Sequence, residues 1–304
     1  MEMCAFAVCA VADRDPDLMA ALKSYFKSLE VDCVDLDPAS DYDGNKLATY
    51  LTKKQVKVIL PKVLSSSKSQ SLFKKLRKTK LHFLNSPSAV EICSRRRTLF
   101  SFLERKMSSL RKAVPTLAIP KVLKSWGEVK RAFKKGRAVW VRQDAHNIPK
   151  EERVLGIATN LNELYQIVRF LDPRSLFFQE YLGVMEVTFK AYVIGEKVFA
   201  LKKTGFQDGY EQGPVTVERV ELPRQVRHLL LKLGRLFDMT VYGVDFAHVN
   251  GSLVLFDVND FPSFRGIDEA VETICAHVNQ RFLTNIKPLR KEKGKKRSQK
   301  VGVG

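Results

Sequence analysis

Residues 241–266 read VYGVDFAHVNGSLVLFDVNDFPSFRG. Two β-rich apolar runs flank Asn250-Gly251, the pattern of a hairpin, and three oxygen-bearing side chains punctuate it: Asp245, Asp257 and Asn259. Positions 257 and 259 are two apart, so on a strand both project from one face. They interrupt an otherwise apolar stretch, where an unpaired carboxylate is costly to bury. A divalent cation removes that cost, and small hard cations of this kind sit between carboxylates and the phosphates of a nucleotide. The stretch therefore reads as a magnesium–nucleotide site. A cation shared by Asp245 and Asp257 requires both on one face. A two-residue turn at Asn250-Gly251 pairs position 245 with 256 and separates the two carboxylates. A three-residue loop, Asn250–Ser252, pairs 245 with 257, and is the expectation.

The rest of the chain is compatible with a folded nucleotide enzyme. Its 304 residues are 45% hydrophobic and 10% aromatic, enough for two or three packed units. No apolar run reaches the length of a membrane span. The stretch Cys4–Ala12 ends in Ala10-Val11-Ala12 like a signal-peptide cleavage site, but Glu2 stands where a positive charge belongs. It reads as a buried first strand. Cys4, Cys9, Cys33, Cys93 and Cys275 are scattered without a CxxC, which indicates reduced thiols and a cytoplasmic protein. The net charge is +19; residues 287–300 hold eight Lys/Arg and one Glu, leaving +12 on the body. A basic body favours polyanionic partners, among them polyphosphates, nucleic acid or an anionic surface. No partner copy is expected; the chain reads as a monomer.

Apolar strands alternate with helices over the first ninety residues, as in a parallel sheet covered on both faces. Asp15 is the expected cap of the first helix, with Pro16 at its first position. No GxGxxG follows the first strand, so a dinucleotide-binding unit has no support. Four segments are expected: an α/β unit over 1–92, a central unit over 93–178, a C-terminal unit over 179–286 carrying the hairpin, and a basic disordered tail over 287–304.

Asp245 with DVNDFPSFRG, the earlier Gln179-Glu180-Tyr181-Leu182, and FKAYVIGEKVFALKK together resemble the ATP-grasp superfamily. The chain is most similar to its inositol 1,3,4-trisphosphate 5/6-kinase branch. Residues 176–267 carry the likeness, and it is looser over 85–175. The resemblance implies an α/β ATP-grasp fold of three consecutive subdomains, with ATP between the central and C-terminal ones. It implies that Asp245, Asp257 and Asn259 hold one or two Mg2+ ions, and that Glu180 and Leu182 meet adenine beside Gln179. Arg142 stands where the superfamily places a phosphate-binding lysine, a fork in place of a point charge. His146, Lys190 and Lys203 match positions that bind substrate phosphates, with Arg142 and Lys190 the residues closest to catalysis.

Taken singly, each residue has a plainer role. Lys190 and Lys203 suit solvated strand faces, His146 a loop, and Glu180 an edge-strand charge. The segment after Arg142, QDAHNIPKEERVLG, has no glycine before Gly156, whereas carboxylate–amine ligases of the superfamily have a glycine-rich loop there. Those ligases also carry E-x-N where this chain has Asp257, and an arginine where it has Lys190. The expected function is phosphoryl transfer from Mg-ATP to a small polyanionic acceptor, a phosphorylated polyol. The alternative is a carboxylate–amine ligase working through an acyl phosphate. A third possibility is a non-catalytic member that binds nucleic acid through its basic surface and tail.

Overall fold

A computed structural model describes residues 7–38, 40–65, 67–79, 81–148, 150–207 and 212–283. The first residues of the expected opening strand and the basic tail lie outside this set. The first unit runs β1 (Ala7–Ala12), α1 (Pro16–Ser28), β2 (Asp32–Leu36), α2 (Gly44–Lys53), β3 (Val56–Lys62), α3 (Ser67–Leu76) and β4 (His82–Phe83). Its four strands are parallel, in the order β2-β1-β3-β4. Alternate residues of β1 feed two cores: Val8 and Ala10 pack with Phe26, while Ala7, Cys9 and Val11 pack with Leu47 and Leu51. A strand buried on both faces must be apolar throughout, which is why this segment reads as a continuous run.

The second stretch contains α4 (Pro87–Ser94), α5 (Arg96–Arg111), β5 (Leu117–Ala118), α6 (Trp126–Lys134), β6 (Val139–Gln143), α7 (Lys150–Arg153), β7 (Val154–Ala158), α8 (Leu161–Val168) and β8 (Leu176–Glu180). β7-β6-β8 form a three-stranded antiparallel sheet. Val122 makes a single antiparallel bridge to Gln179. β9 (Met185–Ile194), β10 (Lys197–Gln207), β11 (Gln212–Arg219), α9 (Arg224–Phe237), β12 (Val241–Val249), β13 (Ser252–Asn259) and α10 (Ala270–Phe282) complete the chain. Their sheet has the order β11-β10-β9-β12-β13-β5, so β5 crosses over to pair in parallel with β13.

The six-stranded sheet has two different faces. One carries Ala191, Val193, Val244, Phe246 and Leu253, packed against α5 and α9 through Leu99, Phe100, Leu229 and Leu233. The other joins the first unit: Tyr192, Ile194 and Val241 pack with Phe261, Phe264 and, from α1, Leu22 and Phe26. Asp15 does not cap α1. It adopts the left-handed conformation, φ 51°, with no side-chain cap bond. Its carboxylate instead takes the Lys62 ammonium at 2.7 Å. Lys62, fully buried at the end of β3, also donates to Phe261 O at 2.6 Å and Pro262 O at 3.1 Å, tying the first unit to the segment after β13. Among the described residues no helix is long and apolar enough to cross a membrane.

Candidate functional site

The hairpin brings Asp245 and Asp257 together by a route other than the expected loop. Val249 pairs with Ser252, so the turn is the two-residue Asn250-Gly251, with φ 48° and 76°. Asn-Gly at two positive φ angles suits a turn whose twist matches the flanking strands, which is why the three-residue loop does not form. The pairing then shifts between Asp245 and Phe246, leaving Phe256 without a partner in the ladder. Such a bulge reverses the facing of everything beyond it. Leu253 and Leu255 point into the α5–α9 core, whereas Asp257 and Asn259 point to the opposite face, directly across from Asp245 and Gly243. Asn259 Nδ2 lies 3.5 Å from Asp245 Oδ2.

One row crosses four strands on this face: Leu201, Lys190, Asp245 and Asp257. Lys190 donates to both carboxylate oxygens of Asp245 at 3.0 Å. Burial works against its charge, but Asp245 outweighs it and raises the ammonium above its usual value. Lys203 lies opposite Thr188, two positions from Lys190, and so on the same face. His146 arrives from the segment after β6: its Nδ1 lies 2.8 Å from Cys93 O and its Nε2 2.8 Å from Asp257 Oδ1. Each ring nitrogen of His146 thus faces an acceptor oxygen. Burial opposes ionisation of Asp257, yet His146, then Arg142 and Arg96, hold its carboxyl far below the usual range.

Arg142 is buried on β6, stacked over the Trp140 ring at 4.3 Å, and donates to Gln179 Oε1 at 3.2 Å. Burial pushes it down while Asp257 opposes. Arg142 Nε and Gln179 Nε2 are buried without a partner. Arg96, which is not among the site residues expected from sequence, is 1% exposed at the start of α5. It donates to Gln143 O at 3.2 Å and Ala145 O at 2.8 Å, fixing the segment that aims His146. Burial, then Arg142, pushes Arg96 down to about 9, which still leaves it charged at neutral pH, and its Nε has no partner. Positions 96, 99, 100 and 103 share a helix face. That spacing, an arginine in line with Leu99, Phe100 and Leu103, is the signal that marks Arg96 as inward.

The structure thus brings Asp245, Asp257, Asn259, Lys190, His146, Arg142 and Gln179 to one locus, with Lys203 on the same sheet face. Glu180 and Leu182 lie farther along: the Glu180 carboxylate pairs with Arg137 at 2.7 Å, and its N–H donates to Lys121 O. Leu182 is half-buried in the irregular segment after β8. Among the described residues no group of three or more His, Cys, Asp and Glu forms a metal cluster. The expected set is different, two carboxylates and an amide, all hard oxygen donors on one face. An ionised Asp257 opposite Asp245 fits Mg2+ by donor chemistry.

No known family model matches the sequence, and no curated protein matches the chain. Solved structures do. The macrocyclase MdnC bound with precursor peptide MdnA, from Microcystis aeruginosa MRC, is 14% identical, covering 89% of this chain and 98% of its own, with TM-score 0.62. The ATP-grasp ligase PsnB with minimal precursor, Mg and ADP is 14% identical, covering 92% and 99%, with TM-score 0.60. A RimK domain ATP-grasp protein from Sphaerobacter thermophilus DSM 20745 is 15% identical, covering 91% and 99%, with TM-score 0.62. The chain has the α/β ATP-grasp fold.

Proposed function

We propose that this chain is an ATP-dependent carboxylate–amine ligase, activating its acceptor as an acyl phosphate. The observation that carries the proposal is the opposition of the facing carboxylates Asp257 and Asp245 to the buried Arg142 and Arg96 guanidiniums, an arrangement suited to a polyphosphate with its metal. Ligase is favoured over kinase because the solved structures of similar shape include a macrocyclase bound with a precursor peptide and an ATP-grasp ligase with its minimal precursor. A peptide-borne carboxylate is accordingly the acceptor proposed, in place of a phosphorylated polyol.

Mg2+ on Asp245, Asp257 and Asn259 would neutralise the nucleotide's phosphate oxygens. Arg142 and Arg96 offer their unpartnered Nε–H groups to those oxygens, and Gln179 holds the Arg142 fork in place. The segment Glu180–Leu182 offers backbone groups to adenine. Lys190 and Lys203 line the face where the acceptor carboxylate would lie. A carboxylate oxygen takes the γ-phosphoryl group as ADP leaves. The amine nitrogen then bonds to the acyl carbon, the carbon–oxygen bond to phosphate breaks, and the amine proton passes to solvent. Positioning and charge neutralisation supply most of the rate in such transfers.

The kinase alternative keeps three observations: Asp257 in D-x-N, Lys190 in place of an arginine, and the glycine-free segment 143–155. One measurement separates the two. Purified protein is given Mg-ATP with paired carboxylates and amines, peptides included, and separately with inositol phosphates. Phosphate release that requires both carboxylate and amine supports the ligase. A phosphorylated polyol with no amine requirement overturns it.

A further inference from the structure

α6 buries Val129 and Ala132, and α8 buries Leu164, in one core with Val139 and Val141 of β6. Both helices therefore cover the outer face of the three-stranded sheet, away from Arg142. Their solvent side is unusual in two respects. First, Lys130, Arg131, Lys134 and Lys135 are all exposed, and among the described residues none is in an ion pair. Lys124 and Arg137 beside them are paired with Glu104 and Glu180. Second, of the seven large hydrophobic side chains exposed among the described residues, four belong to this unit: Trp126, Leu161, Tyr165 and Phe170. Tyr165 is 64% and Phe170 86% exposed. Core packing does not require rings there. Arg169 lies over the Phe170 ring at 4.7 Å, and Trp126 packs at 5.7 Å on Phe178 beside a cavity of about 400 Å3 that Lys124 and Arg97 also line.

We propose that this α6–α8 face binds single-stranded nucleic acid, independently of the ligase chemistry. The unpaired cations supply phosphate contacts, and the exposed rings supply stacking planes for bases, a combination that suits strands whose bases are free. A bilayer is disfavoured because hydrogen-bonded polar groups interleave with the rings: Asn160 and Glu163 at the start of α8, and the Asp172–Arg174 pair after Phe170. An acidic peptide would use the charges but not the ring planes.

The test is fluorescence anisotropy of labelled oligo(U) and oligo(dT) with the full-length protein across a salt series. Binding should weaken steeply with salt. Joint replacement K130A, R131A, K134A and K135A should reduce the log–log salt slope by about 3, since each phosphate contact on a single strand contributes roughly 0.7. W126A and F170A should each weaken binding on the order of tenfold while leaving that slope unchanged. Absence of binding at low salt overturns the proposal. So does a full-length variant with the six lysines of residues 287–300 changed to Gln that abolishes binding while the α6 variant does not. Equal competition by polyglutamate with no effect of W126A or F170A reduces the face to a charge patch, and binding of anionic vesicles with no binding of oligonucleotides makes it a membrane surface; either result overturns it.

Discussion

Asp257 is the residue on which the site turns, because it is held ionised by its neighbours and not by solvent. Burial opposes its charge; His146, Arg142 and Arg96 overrule burial and depress the carboxyl below its ordinary value of 3.8. An acid depressed on folding adds stability above its unfolded value and loses it as pH falls toward the folded one. Thermal unfolding followed against pH should therefore show wild-type stability declining below about pH 4, and a shallower decline in Asp257→Asn. At neutral pH that variant should be less stable by about 3 kcal/mol, because the buried Arg142 and Arg96 lose their counter-ion. Its ATP turnover should fall on the order of 100-fold. Arg96→Met removes a charge facing Asp257 and strands the Gln143 and Ala145 carbonyls. A loss of about 3 kcal/mol in chemical denaturation is expected, with a raised KM for ATP. His146 could be named from sequence but not placed, since only the folded segment 143–147 shows which carboxylate it meets.

The bulge at Phe256 governs the hairpin as an element. Sequence pattern gave both strands and the facing pair correctly, and erred on the turn because alternation cannot register an unpaired residue. Phe256→Ala should keep activity within a few-fold, whereas deletion of Phe256 should abolish ATP-dependent turnover by rotating Asp257 into the α5–α9 core. Comparing the two variants for activity, and for stabilisation by Mg-ATP in a melting assay, checks this. Elsewhere the strong apolar runs of β1, β3 and β9 were legible. β5 and β11 were not: one is two residues long, and the other contains Gly213-Pro214, which reads as a break. α4 is not among the elements expected from sequence, although Ser86 accepts from Ala89 N–H and Pro87 opens the helix.

On the scale of the molecule, two sheets face each other across the site while the first unit is fastened to the segment after β13. Sequence could not anticipate that fastening, which joins residues some two hundred positions apart. Asn85 holds Val241 O and Asp260 O, while Arg14 and Asn147 meet Asp260 Oδ1 at 3.1 and 3.0 Å. Lys62 is as fully buried as Asn85 and Asp260, and its ammonium is pushed down to about 8 by burial and then by Arg14. Lys62→Met should cost about 3 kcal/mol, read by denaturant unfolding, since Asp15 and two carbonyls lose their donor. The same burial makes Lys62 a natural reporter of docking. An amine-acylating reagent should mark exposed lysines at once but reach Lys62 only when the first unit lifts away, so the rate of its labelling, followed by peptide mass, measures how often the protein opens.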